Sequence, residues 1–192
     1  MKCARIAAVG VLLLSFMTLQ AQDRWSFDIR GGADYATTEL GDADLNVGLG
    51  FEGTAAYRFM PHMAVYMGWG WNHFNADQSF AGSDIDFEET GYTFGIQFVH
   101  PLGDTQTSYL VRAGGVFNHI EVEDQERDFI GDSEHGFGWQ VGAGLLVPLN
   151  THWSLTPSVR YRSLSSEIEI DAAATDVDLN YISIGVGISR SF

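Results

Sequence analysis

His152 and Ser154 flank Trp153, and residues two apart on an extended strand share a face, as a general base and a hydroxyl nucleophile must. The third member of such a site is missing. Glu167, the nearest carboxylate considered to orient that imidazole, lies thirteen residues beyond Ser154, roughly 40 Å along an extended chain. The other histidines, His62, His73, His100, His119 and His135, are scattered, and no two stand at a metal-ligand spacing in sequence. Asp42, Asp44 and Asn46 imitate the first half of a calcium loop. Val47, however, stands where the loop's turn needs glycine, and Gly53 where it needs a bidentate glutamate.

The remaining ionisable residues are lopsided, with 25 acidic against 10 basic and a formal charge of −15. Two of the bases, Lys2 and Arg5, precede an apolar run from Ile6 to Leu14 that fades toward Leu19 and meets Gln20, Ala21, Gln22 and Asp23. That run is short of the roughly 20 apolar residues a spanning helix needs, and the small Ala21 sits where a leader is cut. Residues 1–21 are therefore expected to be a signal peptide, leaving 22–192 as one domain. Cys3, the only cysteine, would leave with the leader, so no disulfide, thiol or cysteine metal site is expected. Losing Lys2 and Arg5 moves the charge to −17 and removes the only lysine. Nucleic acid is excluded as a partner on that ground, because a polyanion needs a basic footprint.

The elements that position these side chains are strands. No helical period survives after Ala21. Two-residue alternation recurs instead in eight segments of about ten residues, separated by turn formers. Trp25, Phe27 and Ile29 alternate with Ser26, Asp28 and Arg30, and the same pattern runs through Phe51, Trp69, Phe94, Val111, Trp139, Val159 and Ile184. The connections at 60–63, 100–107 and 149–152 are short, whereas those at 37–44, 75–88, 121–134 and 165–176 are longer and acidic. A soluble barrel would bury its apolar faces. Here those faces are too large and aromatic, and the opposite faces too polar and glycine-rich, for the greasy side to be inside. The expected fold is all-β, an eight-stranded antiparallel up-and-down barrel that spans a membrane, with Trp and Tyr at both interfaces. Pro157 cannot donate to a ladder and is expected to mark a bulge.

Parity then sorts the charges. Asp28, Arg30, Glu52, Arg58, Gln97, Arg112, Gln140, Arg160 and Arg162 fall on the inward positions, where charges must pair because so narrow a lumen holds little water. Arg30 and Glu52, close across the first hairpin, are the expected ion pair. Toward the long connections the polarity inverts. Asp84, Asp86 and Glu88 take the outward positions with Ile85 and Phe87 inward; His119, Glu121 and Glu123 stand outside Ile120 and Val122. Glu167, Glu169 and Asp171 lie outside Ile168 and Ile170, and Asp176, Asp178 and Asn180 outside Val177 and Leu179. The second segment does not invert, and Leu45 stays outward with Asp44 inward. The wall is thus expected to continue beyond the lipid, acidic outside and plugged by apolar side chains within. Glu167, Glu169, Asp176 and Asp178 would gather like charges across the final hairpin, which a divalent cation could offset.

The signal peptide, the eight alternating segments and the ending from Ile184 to Phe192 make residues 22–192 resemble the small eight-stranded outer-membrane barrels of the OmpA, OmpX and opacity-protein type. The terminal aromatic is similar to the signal that family presents to the barrel-assembly machinery. The resemblance implies a bacterial outer-membrane location with both termini periplasmic and the long loops extracellular. It also implies contact with membrane lipid and lipopolysaccharide, and a monomer. That family has members of several functions, so the fold leaves the function open. The expected role is non-enzymatic and cofactor-free, structural or in surface interaction, with divalent cations as candidate partners at the acidic rim. The alternatives are a narrow small-solute channel and a lipid A-modifying enzyme. The His152 and Ser154 pair is similar to that of lipid A deacylases, but it opens its strand at the wrong end. Such an enzyme would need a polar constellation on the outer wall near the external aromatic girdle, and none is legible in the sequence.

Overall fold

The computed structural model describes residues 24–124, 128–170 and 173–192. The expected leader, 1–21, lies outside them. Among the described residues nine strands form: β1 (Trp25–Ala36), β2 (Gly48–Met60), β3 (Met63–Ser79), β4 (Gly82–Pro101), β5 (Ser108–Glu123), β6 (Phe129–Ser133), β7 (Gly136–Pro148), β8 (Trp153–Ile170) and β9 (Ala173–Ser191). All pairings are antiparallel, and β1, β2, β3, β4, β5, β7, β8 and β9 form a ring that closes where Ile29 meets Ile188. The short β6 is an insert, paired to β5 and β8 beyond the end of β7.

Alternation decides which way the wall faces. Phe27 and Ile29 are 51% and 71% exposed, whereas Asp28 and Arg30 between them are 6% and 8% exposed. Apolar side chains outside and charges inside are stable only where the surrounding medium is hydrocarbon. Aromatic pairs edge this apolar band at both ends, Trp25 with Tyr57 at 5.1 Å and Phe98 with Tyr109 at 6.0 Å at one, Phe117 with Phe137 at 4.7 Å and Trp139 with Tyr161 at 5.3 Å at the other.

The connections expected at 75–88 and 165–176 are largely strand. β3 and β4 pair as far as Ser79 and Gly82, and β8 and β9 as far as Ile170 and Ala173. Their inward residues form the expected apolar plug: Ile85, Phe87, Ile120, Val122, Ile168, Val177 and Leu179 are at most 3% exposed. The Ile170 side chain and Asp171 lie outside the described residues. β3 inverts as well, burying Phe74 and Ala76.

Leu45 corrects the sequence reading. It is 8% exposed and joins the plug. β2 begins only at Gly48, so two-residue parity does not reach Leu45. The preceding segment folds into a tight turn instead, closed by reciprocal 2.9 Å hydrogen bonds between Leu40 and Ala43. Gly41 holds a left-handed φ of 64° in that turn, which a side chain rarely adopts. A Cβ on Gly48 would strike the Phe74 ring and the His73 carbonyl. Pro157 marks no bulge. It pairs with Val186, while the ladder to β7 lapses between Gly144–Ser158 and Val147–Leu155 and resumes in the same register.

Candidate functional site

The inward positions converge on one buried polar network below the plug. Glu52 of β2 receives Arg160 Nη1 at 2.5 Å and Arg162 Nη2 at 2.9 Å, both from β8 across the lumen. Arg162 also donates through Nη1 to Glu89 at 2.9 Å and through Nε and Nη2 to Gln140 Oε1. Glu89, wholly buried, takes three more bonds, from Asn72 at 2.9 Å, Asn118 at 2.5 Å and Tyr181 at 2.5 Å. Four strands besides its own thus supply donors to one carboxylate. Two ionised groups out of water cost several kcal/mol each unless their lone pairs and protons are filled, and here they are. Nearer the short turns, Arg112 lies 3.6 Å from Asp28 and donates to Gln97 at 2.8 Å, while Thr156 donates to Asp28 at 2.9 Å.

Two expectations for this network fail. Arg30 and Glu52 are register partners, but the Glu52 carboxylate turns to Arg160 and Arg162. Arg30 instead donates through Nε to Ser158 at 2.9 Å. A hairpin sets neighbours along the wall, whereas a closed barrel also sets neighbours across it, and the cross-lumen guanidiniums win. Arg58 has the inward parity but is exposed, at the end of β2 where the register to β3 shifts. It lines the mouth of the lumen among the short turns. Glu89, Tyr181 and Asp34 were missed. Continuing the inward parity of β4 from Gln97 through Thr93 reaches Glu89, and extending β1 past Arg30 reaches Asp34, which Ser183 bonds.

The outer wall above the second aromatic band carries the polar constellation that the sequence hid. His119 Nε2 lies 2.8 Å from Glu121, His73 Nε2 lies 3.5 Å from Asp86, and Trp71 donates to Glu88 at 2.9 Å. The His119 and His135 rings stand 4.6 Å apart, β5 against the connection that leads into β7, a pairing that sequence spacing cannot register. Oxygens of Glu88, Glu121 and Glu123 lie within 4.8 Å of one another. The rim residues of the last hairpin are less concentrated. Glu167 faces Asp176 across the ladder and both are exposed, but Asp178 takes a 2.6 Å bond from Ser165. Glu169 lies opposite Ala174, and its side chain is outside the described residues. His152 is exposed in the turn before β8, while Ser154 lines the lumen mouth. Asp42 and Asp44 are exposed around the tight turn at Gly41.

A closed antiparallel ring, apolar outside and ionic within, defines a membrane-spanning β-barrel. The chain belongs to the outer membrane protein beta-barrel domain family, whose pattern it matches over residues 9–192. No curated protein matches it in sequence. Among solved structures it is similar to Neisserial surface protein A (12% identity, 88% of this chain and 96% of that one, TM-score 0.57). It is also similar to OprG from Pseudomonas aeruginosa (17% identity, 90% and 99%, TM-score 0.58), and to outer membrane protein W of E. coli (14% identity, 90% and 100%, TM-score 0.52). These likenesses concern the fold.

Proposed function

We propose that this outer-membrane barrel is a non-enzymatic, non-conducting surface-interaction protein. The observation that carries the reading is the double closure of the lumen: Arg162 and Glu89 are wholly buried in one ion-paired layer, and the apolar plug lies directly above it. Ions would have to pass a neutralised network and then a dry hydrocarbon layer. What such a molecule offers a partner is its wall. Short turns with both termini facing the periplasm and long hairpins facing outward follow the rule for these barrels. The closed ring leaves no edge for a second copy, which supports a monomer.

At the outer interface the wall carries carboxylates just above its aromatic band. Lipopolysaccharide head groups are anionic, so divalent cations would have to bridge the two, and the Glu88, Glu121 and Glu123 oxygens are hard ligands of the kind calcium and magnesium take. Purified barrel in a planar lipid bilayer is expected to give no conductance steps. Stepwise currents with a reproducible ion selectivity would refute the closed-lumen reading.

A second reading, hydrolysis of a lipid, has one observation in its favour. His119 is held by Glu121 through Nε2, its buried Nδ1 has no hydrogen-bond partner, and Thr90 is its register partner on β4. A carboxylate-held imidazole at the membrane surface is half of an acid–base site. Release of fatty acid from lipid A-containing vesicles, lost on His119→Asn, would establish it; no release would end it.

A further inference from the structure

The lumen's guanidiniums are not equally filled. Among the described lumen arginines Arg30, Arg112, Arg160 and Arg162, only Arg30 has no carboxylate within 4.0 Å. Yet Arg30 is 8% exposed, and its Nη2 has no hydrogen-bond partner; the Nε of Arg160, also 8% exposed, has none either. Both side chains line a chamber of about 30 Å³ bounded also by Asp28, Arg112 and Thr156. Those last three line a wider cavity of about 150 Å³ that opens among the short turns, where Arg24 and Arg58 stand. Arg24, Arg30, Arg58, Arg112 and Arg160 line the two cavities together with Asp28 and Glu52.

A buried guanidinium with an unfilled donor and no carboxylate in contact is costly, and an anion that reaches it removes that cost. We propose that the lumen is a blind anion-binding pocket, open among the short turns, which takes a small monovalent anion, a halide or a short carboxylate, on the inward guanidinium edges of Arg30 and Arg160. The anion enters through the wide mouth, and the Glu52–Arg162–Glu89 layer stops it. The site binds without conducting and does not depend on which way the barrel faces.

The detergent-folded barrel is titrated with sodium chloride, sodium acetate and, as a bulky reference of equal ionic strength, the sodium salt of a morpholine sulfonate. Chloride, acetate or both are expected to raise the Tm by about 3–6 °C for each tenfold rise above the Kd, with the sulfonate inert. Which of the two salts acts decides between halide and carboxylate. In the sulfonate buffer, Arg30→Gln is expected to unfold at a temperature equal to or above that of the wild type, because a buried guanidinium with an unfilled donor is gone, and to lose the anion response. A measurement on the wild type alone guards against a variant that does not fold: the NMR lines of whichever anion raises the Tm, chloride-35 or acetate carbon-13, should broaden with the barrel and be unaffected by added sulfonate. Equal responses to all three salts, an unaltered response in a folded Arg30→Gln, or neither chloride nor acetate lines broadened by the barrel would mean that water alone solvates these groups, and would overturn the proposal.

Discussion

Replacing Glu89 with glutamine changes the network least in shape and most in chemistry. The carboxylate is wholly buried and accepts from Arg162, Asn72, Asn118 and Tyr181, two bonds on each oxygen. An amide keeps one acceptor and turns the other position into a donor that faces two donors. Removing one partner of a buried ion pair costs about 3–5 kcal/mol. Arg162 keeps Glu52 at 2.9 Å, so the lower figure applies. About 3 kcal/mol corresponds to a Tm lowered by roughly 6–12 °C for a chain of this length. Urea unfolding of the detergent-folded barrel, followed by tryptophan fluorescence and by the gel mobility shift between unheated and boiled samples, measures both quantities. The double variant Glu89→Gln with Arg162→Met should recover part of the loss, because Glu52 retains Arg160 and no guanidinium is left stranded. A single variant within about 0.5 kcal/mol of the wild type, or a double variant that is strictly additive, would show that the pair is not made.

A double-mutant cycle with alanine at Glu52 and Arg160 should show a coupling of about 2 kcal/mol, and the same cycle with Arg30 less than about 0.5 kcal/mol; the reverse order would restore the hairpin pair. Leu45→Asp should cost about 3 kcal/mol or more in the same urea assay, since it puts a carboxylate into the plug, whereas an outward Leu45 would make the change nearly neutral. Millimolar calcium should raise the Tm of the wild type, and much less that of a variant with Glu88, Glu121 and Glu123 changed to glutamine. The corresponding amide variant of Glu167, Glu169, Asp176 and Asp178 should respond nearly as the wild type does. Sodium chloride at equal ionic strength matching calcium would reduce the rim to a screened charged surface.

Local pattern carried the barrel, the inside and outside of every strand, and the inversion that makes the plug, because side chains alternate with a period of two and that period is written directly in residues such as Phe27, Asp28 and Ile29. It carried the membership of the lumen network for Asp28, Arg30, Glu52, Arg112, Arg160 and Arg162 for the same reason. It did not carry partners. Glu52 chooses Arg160 and Arg162 over its hairpin neighbour Arg30 because closure and strand tilt bring β8 across the lumen, more than a hundred residues along the chain. Parity also fails where the strand stops. Leu45 turns inward because the Leu40–Ala43 turn, not a ladder, sets its direction, and Arg58 reaches the open mouth where the register shifts. The outer-wall histidines and carboxylates, dispersed from His73 to His135 in sequence, become one constellation only when β3, β4, β5 and β7 lie side by side. Within the ladders, sequence alone determined which face a residue takes; the tertiary structure decided whom it meets there, since a face is a local property of the strand backbone and a neighbour across a closed sheet is not.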